Sequence, residues 1–492
     1  MRASRSATLP SLSPAGALAT TPAQAGAALA LSLLAGLTLV AGPDWWVAFG
    51  LLGVAALTAL GLMRPALFLS LFLLVRPVLD EFSQSTAGVQ SANVAGALGA
   101  LLVAIAIVVL VSRRGTFSPP TTLPLVAIGL MSVIAALQGT LEVGGSDLGL
   151  RPVSELVRLA ALVAVFLMAA NLSTGADKAR TLFVIIGLSA IVPAGYGIWE
   201  LISGAPIKEG TDTARISGTF TGPVPFGAFM AFTSLIMIFG PVDRIRGWIR
   251  WPALALMLVA LTASYSRVGW VLFVIGLAIL AWPSQKRLVV ALVILLIGVA
   301  AAVPTVRERA LPLGDQAPSA ESSAAGYESY GWRIENWRGL LDKWAERPLL
   351  GHGLESTTFV NPRSPVTGEG RSGGGYEAHN MLVRILVEGG IVLLVVYLAY
   401  FFAIIARLRH LSRQRWELRG PARLLLVIWA LTLFTGATTD DPLSLTALMV
   451  GLLALTGAVE GAWRVRDRAA EPAGQAATGM FWRPAAPGSR AG

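Results

Sequence analysis

Residues 378–398 read AHNMLVRILVEGGIVLLVVYL. From Met381 the run is predominantly apolar and stays so to about residue 405. That length matches a helix crossing a bilayer, where about 20 residues span the hydrocarbon core. Alternation of apolar and polar residues is absent, which excludes a strand of a membrane barrel. His379 is one of only three histidines in 492 residues, and it stands where this span begins, after the glycine run Gly373–Gly375. Such a glycine run suits a hinge. Asn380 is placed to cap the helix that follows.

The same kind of block recurs along the chain, near 24–41, 45–63, 65–79, 92–112, 121–138, 152–172, 181–203, 223–240, 251–265, 268–283, 286–304, 423–439 and 442–460. Hydrophobic residues make up 55% and charged ones 13%, against about 25% charge in soluble domains. Only helices or closed barrels satisfy their backbone in lipid. The expectation is therefore an all-α polytopic membrane helical bundle of about 12–14 spans. The net charge of +10 does not point to nucleic acid, because the basic residues sit in short loops, as orientation signals do. The absence of cysteine excludes disulfides, thiolate metal sites and a cysteine nucleophile.

With the N-terminus in the cytoplasm, alternating segments place Arg64, Arg113, Arg114, Lys178, Arg180, Arg244, Arg246, Arg250, Lys286 and Arg287 inside, together with the cluster RLRHLSRQRWELRGPAR. The short outer loops then hold few basic residues: Arg76, Arg151, Lys208, Arg215 and Arg267. This asymmetry orients both termini inward. The expected organisation is a disordered cytoplasmic tail (1–23), N-terminal spans (24–304), one large extracytoplasmic loop (305–380), C-terminal spans (381–460) and a second disordered cytoplasmic tail (461–492). A hydrophilic insertion of that length within a compact bundle is usually functional. Within it, WRIENWRGLLDKW spaces Ile334, Trp337, Leu340, Leu341 and Trp344 as an amphipathic helix. That helix suits either the membrane interface or a small core of the loop itself.

Ionisable residues near membrane depth are functional candidates. Arg215 lies in ARISGTFTGPVPFG and Arg267 in the tight turn SYSRVGW. With His379 they bring three separated segments to the expected outer face. Guanidinium grips phosphate with two parallel hydrogen bonds and keeps its charge. An imidazole takes a proton near neutral pH. The set fits transfer of a group away from a phosphate leaving group. On spacing alone, Arg215 is equally an interfacial side chain reaching headgroups and His379 a capping or packing residue, whereas the tight turn makes Arg267 harder to read that way. His352 is a second candidate base, and His410 belongs to a solvated basic face. No His/acid cluster has metal spacing. The pairs Asp80–Glu81 and Asp440–Asp441 could hold a divalent ion but better suit helix caps or ion pairs. Glu155, Arg158, Glu200 and Arg384 are candidates for structural ion pairs.

Four stretches in order resemble the O-antigen ligase / O-antigen polymerase (Wzy_C-type) superfamily of polytopic membrane glycosyltransferases: RISGTFTGPVPFGAFMAF, ASYSRVGWVLFVIGLAIL, WRIENWRGLLDKWAERPLLGHGLESTTF and AHNMLVRILVEGGIVLLVVYL. Together they cover about residues 210–405. The resemblance implies a GT-C-like bundle in the bacterial cytoplasmic (inner) membrane, with its site facing the periplasm or exterior. It implies Arg215 and Arg267 as binders of the donor diphosphate, His379 as the catalytic residue, and Arg333 and Asn380 as secondary loop and cap residues. The implied donor is a glycan on polyprenyl (undecaprenyl) diphosphate. The implied acceptor is a hydroxyl on a glycan or lipid-linked saccharide, with no cofactor or metal. Ligase and polymerase differ only in that acceptor. A protein O-glycan transferase and a transporter or flippase of lipid-linked oligosaccharide are the alternatives.

Overall fold

The computed structural model describes residues 45–79, 91–112, 119–143, 151–204, 215–282, 330–362, 378–438, 441 and 445–470. The expected spans 24–41 and 286–304, the tail 1–23, most of the C-terminal tail, Asp80, Glu81, Asp440 and the glycine run Gly373–Gly375 lie outside the described residues. What is described is an all-α polytopic membrane bundle. Its helices are α1 (Trp45–Met63), α2 (Pro65–Val75), α3 (Ser91–Ser112), α4 (Thr122–Val143), α5 (Arg151–Leu172), α6 (Ala176–Ser189), α7 (Ile191–Ser203), α8 (Pro223–Phe239) and α9 (Gly247–Ala263). There follow α10 (Arg267–Trp282), α11 (Tyr330–Glu346), the short α12 (Thr357–Val360), α13 (Met381–Arg413), α14 (Arg419–Thr438) and α15 (Thr446–Ala470). Among the described residues six helical segments are long and apolar enough to cross a membrane.

Sequence chemistry sets several boundaries. Pro65 and Pro223 stand at the first turns of α2 and α8, where a missing N–H is harmless. The block expected near 181–203 begins earlier, at Ala176, and divides at Ala190 into α6 and α7. Pro193 explains the division, because it has no N–H to offer the Ser189 carbonyl.

The centre of the bundle is α15. Every residue from Ala447 to Ala462 is buried, as expected of a helix packed on all sides. It lies against α5, α6 and α14. Gly457 and Gly461, four residues apart, let its backbone approach α5 closely: a Cβ on Gly457 would stand 2.3 Å from the Phe166 carbonyl oxygen, and one on Gly461 2.2 Å from that of Ala170. Association in lipid depends on such close packing, since apolar contact alone gives no preference for protein over lipid. Trp429 Nε1 of α14 donates to Thr456 Oγ1 of α15 at 2.9 Å.

The two ends of the bundle differ in charge. At one end lie the C-termini of α7, α9 and α14 and the N-termini of α5, α8, α10, α13 and α15, tied by the contacts described below. At the other, Arg244 pairs with Asp177 at 2.9 Å, Arg180 with Glu417 at 3.4 Å, and Arg466 donates to the Arg415 carbonyl at 2.8 Å.

Replacing Gly457 with Val should destabilise the protein by about 1–3 kcal/mol through overpacking. Gly420, with nothing within 4 Å of an added Cβ, should accept Ala without loss. Unfolding temperatures of the two variants in detergent check both outcomes.

Candidate active site

The site is built around a break in α13. At Gly390 the backbone turns to φ 66°, ψ −171°, a conformation costly for any residue with a Cβ. The interrupted ladder frees polar groups, and the segment Pro348–Gly353 fills the gap. His352 N donates to Val387 O at 2.9 Å and Gly353 N to Glu388 O at 2.8 Å. In return Ile391 N donates to Pro348 O at 3.0 Å and Val392 N to Leu349 O at 3.3 Å. Gly353, at φ 99°, also lies against α4, where an added Cβ would come within 2.0 Å of Gly139 N. Leu354 N completes the seat by donating to Ala135 O at 2.8 Å. Irregular backbone inside a membrane protein persists only where protein satisfies it, and this strap does so.

One turn ahead of the break, Arg384 is the hub of an ion network. Its Nε meets Glu388 at 3.1 Å, Nη1 meets Asp441 at 2.8 Å, and Nη2 meets Glu155 of α5 at 3.2 Å and Glu355, in the continuation of the strap, at 2.7 Å. Glu155 is shared with Arg158, which also reaches Thr446 Oγ1 of α15 at 3.3 Å. Thr357 donates to Glu388 at 2.9 Å. Asp441 is thus engaged by an arginine, and no group of three metal-ligating side chains occurs among the described residues.

His379 immediately precedes the N-cap of α13 and lies in the left-handed region, at φ 47°. A non-glycine residue held there marks strain worth a functional hypothesis. Asn380 caps α13, its Oδ1 accepting from Leu382 N at 2.9 Å and Val383 N at 3.2 Å. Its Nδ2 donates to Ala437 O, at the end of α14, at 3.0 Å. Helix α11 packs on this end of α13: Leu340, Trp337 and Trp344 meet Val383, Val387 and Ala378, and Trp337 Nε1 donates to Ala378 O at 2.7 Å. The amphipathic helix therefore buries its apolar face on α13. Half-buried Arg333 lies four residues before Trp337 on the same helix, a spacing that puts both on one face. His352 is buried, with Nε2 2.8 Å from the Lys343 carbonyl, a packing role. His410 stands edge-on to Trp463, ring centres 6.2 Å apart, away from the strap.

Arg215 is buried and donates from Nε to Ser264 O at 3.4 Å. Ser264 lies in the turn that leads to Arg267, and Ile216 N reaches Ala263 O there at 3.5 Å. Glu200 of α7 holds the Arg215 segment by accepting from Ser217 N at 3.0 Å and Gly218 N at 2.8 Å. Thr219 Oγ1 ties it to Pro77 O at 2.7 Å. The Arg215 segment and the Arg267 turn are therefore neighbours. Arg333, His379 and Asn380 form a second group. Helix α14 links the two groups. Its Leu431 lies 3.5 Å from a Cβ placed on Gly276, its Arg423 donates to Ile279 O at 3.2 Å, and its far end receives Asn380. Both groups thus sit at one end of the bundle.

The features so far define a membrane bundle carrying arginines and a strained histidine at one end, under a strap and an amphipathic helix. A family model described as O-antigen ligase matches residues 252–398. The match bears out the resemblance to the O-antigen ligase/polymerase-type family and supports O-antigen ligase-type membrane glycosyltransferase activity in general. It spans Arg267, Arg333, His379 and the strap; Arg215 precedes it. A search of curated proteins finds no match.

Sequence reasoning named Glu155, Arg158 and Arg384 as ion-pair candidates but not the hub they form, nor Glu355 and Glu388. The available signal was Glu388–Gly389–Gly390, a charge and two glycines inside a span.

Replacing Gly390 with Ala should dislodge the strap, because the new Cβ would lie 2.2 Å from Leu349 O at a strained φ. Hydrogen exchange at the amides of His352 and Gly353 should speed up by at least about tenfold, the loss of about 1.4 kcal/mol of local protection. Mass spectrometry of the peptide containing them reads this directly.

Proposed function

We propose that the protein transfers a glycan from undecaprenyl diphosphate to an acceptor hydroxyl on the outer face of the cytoplasmic membrane, as an O-antigen ligase or polysaccharide polymerase. Arg215 and Arg267 bind the donor diphosphate and stabilise the charge that builds on it as it leaves. The acceptor oxygen forms its bond to the anomeric carbon as the bond from that carbon to the diphosphate oxygen breaks. His379 takes the hydroxyl proton, and the diphosphate departs as an anion. One displacement of this kind inverts the anomeric configuration. The guanidiniums supply the counter-charge, so the step needs no metal. Arg333 and Asn380 support the site, Asn380 by fixing the backbone next to His379. The acceptor is a glycan or lipid-linked saccharide.

The observation that supports this reading is the pair of contacts Arg215–Ser264, which ties the Arg215 segment to the turn of Arg267, and Asn380–Ala437, which ties the His379 segment to α14 at the same end of the bundle. Its orientation rests on charge. The opposite end carries Arg180, Arg244, Arg415 and Arg466, and arginine-rich short loops stay in the cytoplasm. Both termini are then cytoplasmic, and the segment 305–380 is extracytoplasmic.

The test is glycan transfer from an undecaprenyl diphosphate-linked oligosaccharide by purified protein in proteoliposomes. His379→Ala should lower the rate by about 10²–10⁴-fold with unchanged membrane content. Arg267→Lys should also lose activity, since an ammonium does not reproduce the bidentate grip. Unaltered transfer by the His379 variant would remove the proposed base.

A further inference from the structure

Between the strap and the start of α13 lies a small open pocket, about 40 Å³ in volume, walled by Glu355, Thr357, Thr358, His379, Arg384 and Asp441 among others. The reaction proposed above places the accepting hydroxyl beside His379, so this inference rests on that reading. Three features say what kind of group the pocket takes. Among the described residues, the carboxylates Glu155, Glu355, Glu388 and Asp441 gather around the guanidiniums of Arg158 and Arg384 behind it. The Arg384 guanidinium is already shared among those carboxylates and is poorly disposed to take a phosphate. Glu355 is the most exposed of the four, with its side chain 25% accessible against 9% for Glu155, 5% for Glu388 and 6% for Asp441, so it faces the opening.

The sign of this pocket is opposite to that of the Arg215–Arg267 region. A diphosphate is drawn to the arginines and repelled here. A carboxylate hydrogen-bonded by a hydroxyl makes a strong charge-assisted contact, and threonine hydroxyls both donate and accept. Glu355 and His379 both hold left-handed backbone, at φ 62° and 47°, and both line this one pocket.

We propose that this pocket is the acceptor subsite and that it selects a neutral or amino sugar over an anionic one. The Glu355 carboxylate accepts a hydrogen bond from a hydroxyl neighbouring the one that reacts at His379. Thr358 contributes a second polar contact. Glu355 is then a specificity-determining residue, and the pocket's charge keeps donor and acceptor from exchanging places.

The experiment uses the full-length protein in phosphatidylcholine nanodiscs with three probes: methyl glucoside, methyl glucosaminide and methyl glucuronide. Binding is read by saturation-transfer NMR, and transfer is read separately with an undecaprenyl diphosphate-linked oligosaccharide. The glucoside and glucosaminide should bind at least about tenfold more tightly than the glucuronide, the scale of one misplaced charge or unpaired polar group. Glu355→Gln should weaken the glucoside by about tenfold and narrow the gap to the glucuronide. Thr358→Val keeps the shape and removes a hydroxyl that donates a long 3.4 Å bond to Glu355 O; it should weaken the glucoside about threefold while the unfolding temperature falls by no more than the loss of one such bond. It keeps the test open should Glu355→Gln unfold the strap. Equal binding of glucoside and glucuronide by the unaltered protein, no binding of any probe, or unchanged binding in both variants would overturn the subsite. Discriminating binding without glycan transfer by the unaltered protein would instead overturn the glycosyltransferase reading, and with it the acceptor role, and leave only a sugar-binding pocket of this selectivity.

Discussion

The four backbone hydrogen bonds that close the gap in α13 are the constraint on which the site depends. A helix broken inside a membrane bundle leaves donors and acceptors that neither lipid nor apolar side chains can satisfy, at a cost of several kcal/mol each. The strap residues Pro348 to Gly353 pair with both sides of the break, so strap and break exist only together. The position of α11 follows from the same bonds. Its last turn hands over directly to the strap, with Arg347 N donating to Trp344 O at 2.9 Å and Trp344 Nε1 to Pro348 O at 3.1 Å. An amphipathic helix that could have rested elsewhere is thereby set on the start of α13, beside His379.

The Arg384 network adds register rather than stability. Ion pairs taken out of water gain little net free energy, because desolvation of each charge offsets the attraction. Removing one partner is far costlier, about 3–5 kcal/mol, because the others are left buried and unpaired. Arg384 gathers carboxylates from α5, the strap, its own helix and the residue Asp441 ahead of α15. Arrangements that slide one of these elements along another strand a charge. The glycine seam of α15 has the same effect by shape, since Gly457 and Gly461 meet α5 carbonyls at one register only. Packing of carbon against carbon discriminates poorly between registers in lipid; small residues and buried charges supply the missing specificity.

The helices were largely legible because the signal for a membrane span is a property of composition over many residues. The block expected at 45–63 is α1 to the residue, and those near 223–240 and 92–112 agree within one residue at each end. Local capping was also legible: Asn380 before an apolar run has one obvious use, and it caps. The break at Gly390 was not. Two glycines within a span read equally well as a packing seam, and only the distant strap decides between seam and break. The ion network was half legible for a related reason. A charge in a span announces that it has partners, but not which, and Glu355 lies in a hydrophilic loop where charge carries no warning. His352 and His379 illustrate the limit from the other side. Both belong to the same expected loop, and only the structure separates their surroundings: His352 Nε2 lies 2.8 Å from the Lys343 carbonyl, while His379 lines a pocket.

The two halves of the site are supported by different means, and that difference bears on what each can tolerate. The Arg215 segment rests on the bundle itself. Glu200 holds its backbone, and Phe220 packs on Phe226 and Phe229 with ring centres 5.9 and 5.3 Å away. A binding residue gains from such a rigid seat, and the proposed role of Arg215 asks for one. The His379 side is anchored through α11. Asn361 Nδ2 donates to Asn336 Oδ1 at 2.8 Å, and Ala378 O accepts from Trp337 Nε1 at 2.7 Å. Asn336 and Trp337 are adjacent on one helix, so the chain leaving the strap and the chain arriving at His379 are held by neighbouring residues. Asn361 and Ala378, in two separate described segments, are thus both held by α11, which sets the approach to His379 from a helix already seated on α13.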